Sequence, residues 1–453
     1  MSKNTKVKNS DNQEVFRPIH YLGSKLRILD FIEDTINNID LERGRVCDLF
    51  SGSGSVSFKL SRTRPVTSVD IQEYSTIICS ALLNPIKMDQ KFIDEFLQKS
   101  LNSKHSIGLI NSLESLISYE KECISNALNH KKVEKLCEIL EDGSLISFEI
   151  LKKDNLNSKL SKLLRSTLTE FKKKKILDYQ TLAIRYFGGI YFSYEQALQI
   201  DILLEQIEDS PKKYKNMLLA ALISTASDCV NTVGKQFAQP IRPRKANGDI
   251  KPSLGKSVNK DRSLNVFDVF GKWVQKYNSI TDKDFKNDIL KMDFSIALDN
   301  LTNDTTVVYA DPPYTREHYS RFYHVLETLA LRDTPKISTM VLGGETLLSR
   351  GLYREDRHQS PFCIRSTAPE AFELMFSKIS SKGVKLVLSY SPYDESKGSH
   401  PRVITMNKLI NIANKYYSNV EVLSPGTFVH SKLTNSEKHL EASEFAEVLI
   451  VCT

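Results

Sequence analysis

The sequence predicts an α/β protein with a doubly wound, largely parallel sheet and a long helical segment inserted into it. Three observations carry this. Residues 45–71, "RVCDLFSGSGSVSFKLSRTRPVTSVDI", read as apolar strand, glycine turn, helix start and second strand. From about residue 286 the strand–helix rhythm resumes, with "VVYADPPYT" at 307–315 as its clearest strand. Between these two stretches the pattern is almost wholly helical.

Each element follows from its own pattern. In "KLRILDFIEDTINNI" (25–39), Leu26, Leu29, Ile32, Ile36 and Ile39 recur close to a 3.6-residue period, which predicts an amphipathic helix. "FIDEFLQKSL", "VEKLCEILEDG" and "ALQIDILLEQIED" predict helices in the inserted segment. Lys172 to Lys175 read as a solvated face rather than a phosphate contact. "VKLVLSYSPY" (384–393) predicts a further strand, and "NVEVLSPG" with "EFAEVLIVCT" an antiparallel pair at the end of the chain. The expected organisation is a disordered tail at 1–15, one discontinuous α/β domain at 16–85 and 286–453, and an insert at 86–285. Inserts of that size are usually functional.

Composition narrows the class. The 453 residues are 40% hydrophobic and 26% charged, an ordinary balance for a globular chain of two or three domains. No apolar run reaches the ~18 residues of a membrane span, and "MSKNTKVKNSDNQEV" has no hydrophobic centre, so neither a membrane segment nor a secretory signal is expected. The 7 cysteines are scattered with no CxxC pair, which argues against zinc and disulfides and fits a reducing cytoplasm. The net charge of +7 is a weak signal, but its distribution is not even. Residues 233–262 carry Lys235, Arg242, Arg244 and Lys245 among other cations, with few acids and little apolar periodicity. That loop reads equally as a phosphate contact and as a solvated surface.

Four short stretches carry chemistry. In "DLFSGSGSVSF" (48–58), Gly52 and Gly54 follow a strand and precede a helix, where backbone must turn sharply and approach a ligand closely. Ser57 stands where the third glycine of a dinucleotide fingerprint would be, which argues against a nicotinamide cofactor. Asp70 ends the next strand, as a ribose acceptor or a helix cap. In "YLGSK" (21–25), Tyr21 and Lys25 can meet a ligand carboxylate, or Ser24 can simply cap a helix. Asp311, Pro312, Pro313 and Tyr314 end a strand with an acceptor, a backbone stiffened by two prolines and a flat ring. Together they can hold an exocyclic amine between two acceptors while its ring stacks on tyrosine. No His/Asp/Glu cluster supports a metal there, so no metal is expected.

The order YLGSK, DLFSGSGS, SVDI, long insert, KMDF and ADPPYT resembles the N6-adenine-specific DNA methyltransferases. Among these it is similar to the DNA adenine methylase-like branch of class alpha and to restriction–modification enzymes. The likeness covers residues 16–85 and 286–395 well, and the insert less specifically. It implies a Rossmann-like methyltransferase fold dependent on S-adenosylmethionine, with target recognition in the insert. It further implies that Tyr21, Lys25, Asp48, Phe50, Gly52, Gly54, Asp70, Asp293 and Phe294 meet the cofactor. Asp311 to Tyr314 would hold the target base, and Lys235, Arg242, Arg244 and Lys245 would contact double-stranded DNA.

The expected function is therefore methyl transfer to adenine N6 at a specific duplex sequence. The base would flip out and Tyr314 would replace its lost stacking. A cognate endonuclease would be a separate chain, since no PD…ExK arrangement is present. The expected location is the prokaryotic cytoplasm, at the nucleoid through DNA. Alternatives are transfer to RNA adenine or cytosine N4, and a non-catalytic DNA-binding protein with the same fold. Asp at the first position of Asp-Pro-Pro-Tyr leans to adenine.

Overall fold

The structure, a computed structural model, describes residues 16–151, 158–281, 285–391, 402–425 and 447–453. The expected tail at 1–15 lies outside them, as do the last residues of "VKLVLSYSPY" and the first of "EFAEVLIVCT". The chain divides into two compact units. One comprises residues up to 85 with 281–319 and 358–453, the other residues 86–280 with 320–357.

The first unit is a seven-stranded sheet. Its strands are β1 (Arg45–Asp48), β2 (Val66–Asp70), β3 (Asp288–Lys291), β4 (Thr305–Ala310), β5 (Lys385–Tyr390), β6 (Val420–Leu423) and β7 (Val448–Cys452). They lie in the order β3-β2-β1-β4-β5-β7-β6. All neighbours pair in parallel except β7, which runs antiparallel to β5 and β6. The antiparallel end expected from the last two strand signals is thus present.

Period-two alternation puts two apolar faces on this sheet. Val46, Val66, Val307, Tyr309, Val387 and Leu449 pack on one side with Ile32 and Ile36 of α1 (Leu29–Ile39) and Leu60 of α2 (Ser55–Leu60). Cys47, Val69, Val308, Leu386, Leu388 and Ile450 pack on the other, under Phe372 and Met375 of the helix Ala368–Ser380. The expected helix at 25–39 begins later than its apolar period suggested, because Lys25–Arg27 form a single 3₁₀ turn. All seven cysteines are buried and free, and Cys47 and Cys452 are core fillers.

The second unit is mainly helical, with long elements at Lys104–Asn129, Tyr194–Glu208 and Lys212–Cys229. It also takes in residues 320–357, which the sequence reading had assigned to the α/β domain. Local polar bonding explains the difference. His324 lies 3.2 Å from the Tyr191 hydroxyl and 3.3 Å from the Phe237 carbonyl, and the Phe237 N–H donates to Phe322 at 2.9 Å. Tyr186 donates to the Pro335 carbonyl at 3.0 Å. The helix His324–Leu331 belongs with this unit. The lysine run ends the helix Lys159–Lys173, where cations suit the carbonyl end of the dipole, and all four lysines are exposed. Among the described residues no helix is long and apolar enough to cross a membrane.

Candidate active site

Because β2, β1 and β4 are parallel neighbours, their carboxyl ends bring Asp70, Asp48 and Asp311 to one edge of the sheet. This is the edge at which ligands of open α/β sheets bind.

The glycine loop sits between Asp48 and Asp70. Gly52 and Gly54 have φ of +53° and +72°, left-handed conformations that favour glycine. The Gly52 N–H donates to Asp70 Oδ2 at 2.8 Å, and the Gln72 N–H to Asp70 Oδ1 at 2.8 Å. A Cβ on Gly52 would collide with the Tyr21 hydroxyl, so Tyr21 packs directly on the loop. Gly54 starts α2 and accepts from the Phe58 N–H at 2.8 Å. Asp48 Oδ2 accepts from Ser57 at 2.6 Å, while Oδ1 is buried with no partner among the described residues. Burial pushes the Asp48 carboxyl up to about 7 against the opposing Ser57 bond. Asp70 is also raised by burial, with the Gln72 and Gly52 N–H groups opposing.

An apolar wall stands beside this loop. Phe50 and Phe294 lie 6.0 Å apart by ring centroid, and each packs on Phe362. Asp293 caps the helix Phe294–Asp299 by accepting from Ser295 N–H at 2.9 Å. His358, which the sequence reading missed, feels both Asp293 and Asp70. Burial lowers its pKa and the two carboxylates pull the other way.

Asp311 Oδ2 lies 2.8 Å from Lys25 Nζ. The same ammonium lies 2.6 Å from Glu447 Oε1 and 3.3 Å from the Gly23 carbonyl. Burial pushes Asp311 up to about 6, Lys25 lowers it and Glu447 raises it. Burial disfavours the Lys25 charge, but Asp311 and Glu447 outweigh that and hold its pKa well above the ordinary value. Lys25, expected to meet a ligand carboxylate, is thus already flanked by two of the chain's own. Tyr314 is 9% exposed, edge-on to Tyr390 at 5.3 Å, with the Arg402 guanidinium 4.8 Å from its ring centroid. Arg402 and Glu447 also escaped the sequence reading. Their only sequence signal was a charge beside a short apolar run. Among the described residues no cluster of His, Cys, Asp and Glu has the arrangement of a metal site.

The expected DNA contacts divide. Arg242 and Lys245 are exposed. Arg244 is exposed but paired with Glu141 at 2.9 Å. Lys235 does not fit the role expected of it. Its ammonium lies 2.7 and 2.9 Å from the carbonyls of Asp228 and Val230 and 2.8 Å from Asp261 Oδ1. Three internal acceptors make it a structural lysine of the second unit.

The mostly parallel sheet with these acids along its carboxyl edge is consistent with a methyltransferase fold. More particularly, the model of the D12 class N6 adenine-specific DNA methyltransferase family matches residues 21–114 and 257–340. Similar proteins include modification methylase LlaI of Lactococcus lactis subsp. lactis, 23% identical over 95% of this chain and 54% of that protein. Type II methyltransferase M.FokI of Planomicrobium okeanokoites is 24% identical over 82% of this chain and 44% of its own length. Type II methyltransferase M.NlaIII of Neisseria lactamica is 24% identical over 79% of each. The resemblance read from YLGSK, DLFSGSGS and ADPPYT is borne out. The chain spans about half the length of the first two relatives.

Proposed function

We propose that this chain transfers a methyl group from S-adenosylmethionine to N6 of adenine in a specific double-stranded DNA sequence, as the modification enzyme of a restriction–modification system. The observation that carries the reading is Asp311-Pro312-Pro313-Tyr314 at the carboxyl end of β4, beside the Asp48 and Asp70 glycine loop.

The chemistry of the residues at this edge supports that cofactor. A glycine loop close to the ligand, a buried unpartnered acceptor on Asp48, the Asp70 carboxylate and the Phe50–Phe294 wall suit a nucleoside bearing a positive centre. Tyr21, Asp48, Phe50, Gly52, Gly54, Asp70, Asp293 and Phe294 would hold it. S-adenosylmethionine supplies an electrophilic methyl group when bound.

The remaining work falls to side chains of this chain. Adenine N6 is a poor nucleophile because its lone pair is delocalised into the ring. The Asp311 carboxylate, which Lys25 engages at Oδ2, and the Pro312 carbonyl would accept its two hydrogens and favour a pyramidal nitrogen. Pro312 and Pro313 keep that backbone stiff. The base would leave the duplex to reach them, with Tyr314 facing its ring. Target recognition would lie in the mainly helical second unit, with Arg242 and Lys245 on phosphates. A separate endonuclease would share the target sequence.

The test is incorporation of labelled methyl into DNA, with the modified base identified by mass. Asp311→Ala should lower transfer by a factor of about 10³ or more while S-adenosylmethionine still binds. Near-normal transfer by that variant would remove the assignment.

A further inference from the structure

We propose that Glu447 is a positioning residue for methyl transfer, acting on Asp311 through Lys25; this rests on the function proposed above. The topology brings it there. Asp311 follows the parallel strand β4, while Glu447 precedes β7, which runs antiparallel, so both reach the same edge of the sheet. Ser389 on β5 donates to Glu447 Oε1 at 2.8 Å and seats it. The Lys25 ammonium then lies between the two carboxylates, 2.8 Å from Asp311 and 2.6 Å from Glu447. Side-chain exposures of 5%, 19% and 10% for Lys25, Asp311 and Glu447 keep the three charges largely out of water, where their mutual effects are strong.

The charge count gives this arrangement its meaning. One ammonium between two carboxylates leaves a net negative site. A lone Lys25–Asp311 pair would be neutral, and the lysine would draw electron density from the oxygens that must accept from the amine. The second carboxylate shares the ammonium hydrogens and leaves Asp311 the stronger acceptor. It also disfavours a further anion at Lys25, which separates this lysine from the cofactor-holding set. The other groups facing the triad are Tyr309 on β4, Asp48 at the end of β1, Tyr314, Tyr319 and, over the Tyr314 ring, Arg402. Of these only Asp48 is another acid, and it lies on the far side of Asp311 from β7.

The experiment is single-turnover methyl transfer to DNA from a methylation-free host, followed against pH, for the full chain and two variants. Glu447→Gln keeps the shape and removes the charge. Its rate should fall about tenfold at constant cofactor and DNA affinity. Its acidic limb should move to lower pH, because loss of a neighbouring negative charge makes Asp311 easier to ionise. Glu447→Asp keeps the charge with a shorter reach. It should retain the wild-type limb at an intermediate rate, and it stands as the test if the glutamine variant does not fold. A wild-type rate and limb in Glu447→Gln, or a displaced limb in Glu447→Asp, overturns the proposal. A wild-type chain that methylates no DNA base overturns the functional reading, and this inference with it.

Discussion

At the scale of single residues, the role proposed for Asp311 predicts a pH response. Its carboxyl can accept from an amine only when ionised. Burial and Glu447 raise its pKa and Lys25 opposes them, leaving it at about 6. The sign follows directly: above that value the acceptor is present, and as pH falls through it the acceptor is lost. Methyl transfer should therefore decline on the acid side with a midpoint near 6, well above the ordinary aspartate value of about 3.9. A pH profile of the single-turnover rate checks this, and a midpoint near 4 would mean that burial and Glu447 do not hold Asp311 above its ordinary value. Asp311 and Asp70 were legible in the sequence because a polar residue ending an apolar run marks the carboxyl end of a strand. Glu447 was not, because its partner Lys25 is brought to it only by the pairing of β7 with β5. The internal partners of Lys235 were hidden for the same reason. A cation in a basic loop looks solvated until folding surrounds it with the carbonyls of Asp228 and Val230.

At the scale of elements, strand and helix periods were the readable part, and side-chain-to-backbone bonds across elements were not. Asp201 illustrates this in the second unit. It lies in "ALQIDILLEQIED", a stretch read only as an amphipathic helix. Its two oxygens accept from the Ala183 and Ile184 N–H groups at 2.8 and 2.9 Å. These are orphan donors in the first turn of the helix Leu182–Phe187, so a side chain from the helix Tyr194–Glu208 satisfies another helix's N-terminus. Burial pushes Asp201 up to about 8, and the two backbone bonds oppose that rise. Asp201→Ala should leave both donors buried without partners and cost about 2–4 kcal/mol. Asp201→Asn keeps one acceptor oxygen and should cost less. Urea unfolding of the second unit's helical signal measures both. Equal stability of the alanine variant and the wild type would mean that water reaches those donors.

At the scale of the whole molecule, the net charge of +7 matters less than which cations are available to a polyanion. Residues 233–262, expected as one loop, end in the helix Leu254–Arg262, and internal partners already engage Lys235 and Arg244. Arg242 and Lys245 are exposed. If this stretch tracks a DNA backbone, Arg242 and Lys245 can carry contacts beside the exposed Lys256 and Lys260, and each phosphate they neutralise releases condensed counterions. Replacing both by alanine should weaken duplex binding and reduce the slope of log affinity against log salt by about 1.8, since each contact contributes about 0.9. The glycine loop and the Asp311 site should be untouched, so S-adenosylmethionine affinity should hold. Titrating labelled duplex across a range of salt concentrations separates the outcomes. An unchanged slope with unchanged affinity would place the loop away from DNA, and the equal reading of its sequence would then resolve to a solvated surface. A smaller affinity at an unchanged slope would mean that the two cations act through folding rather than through phosphates.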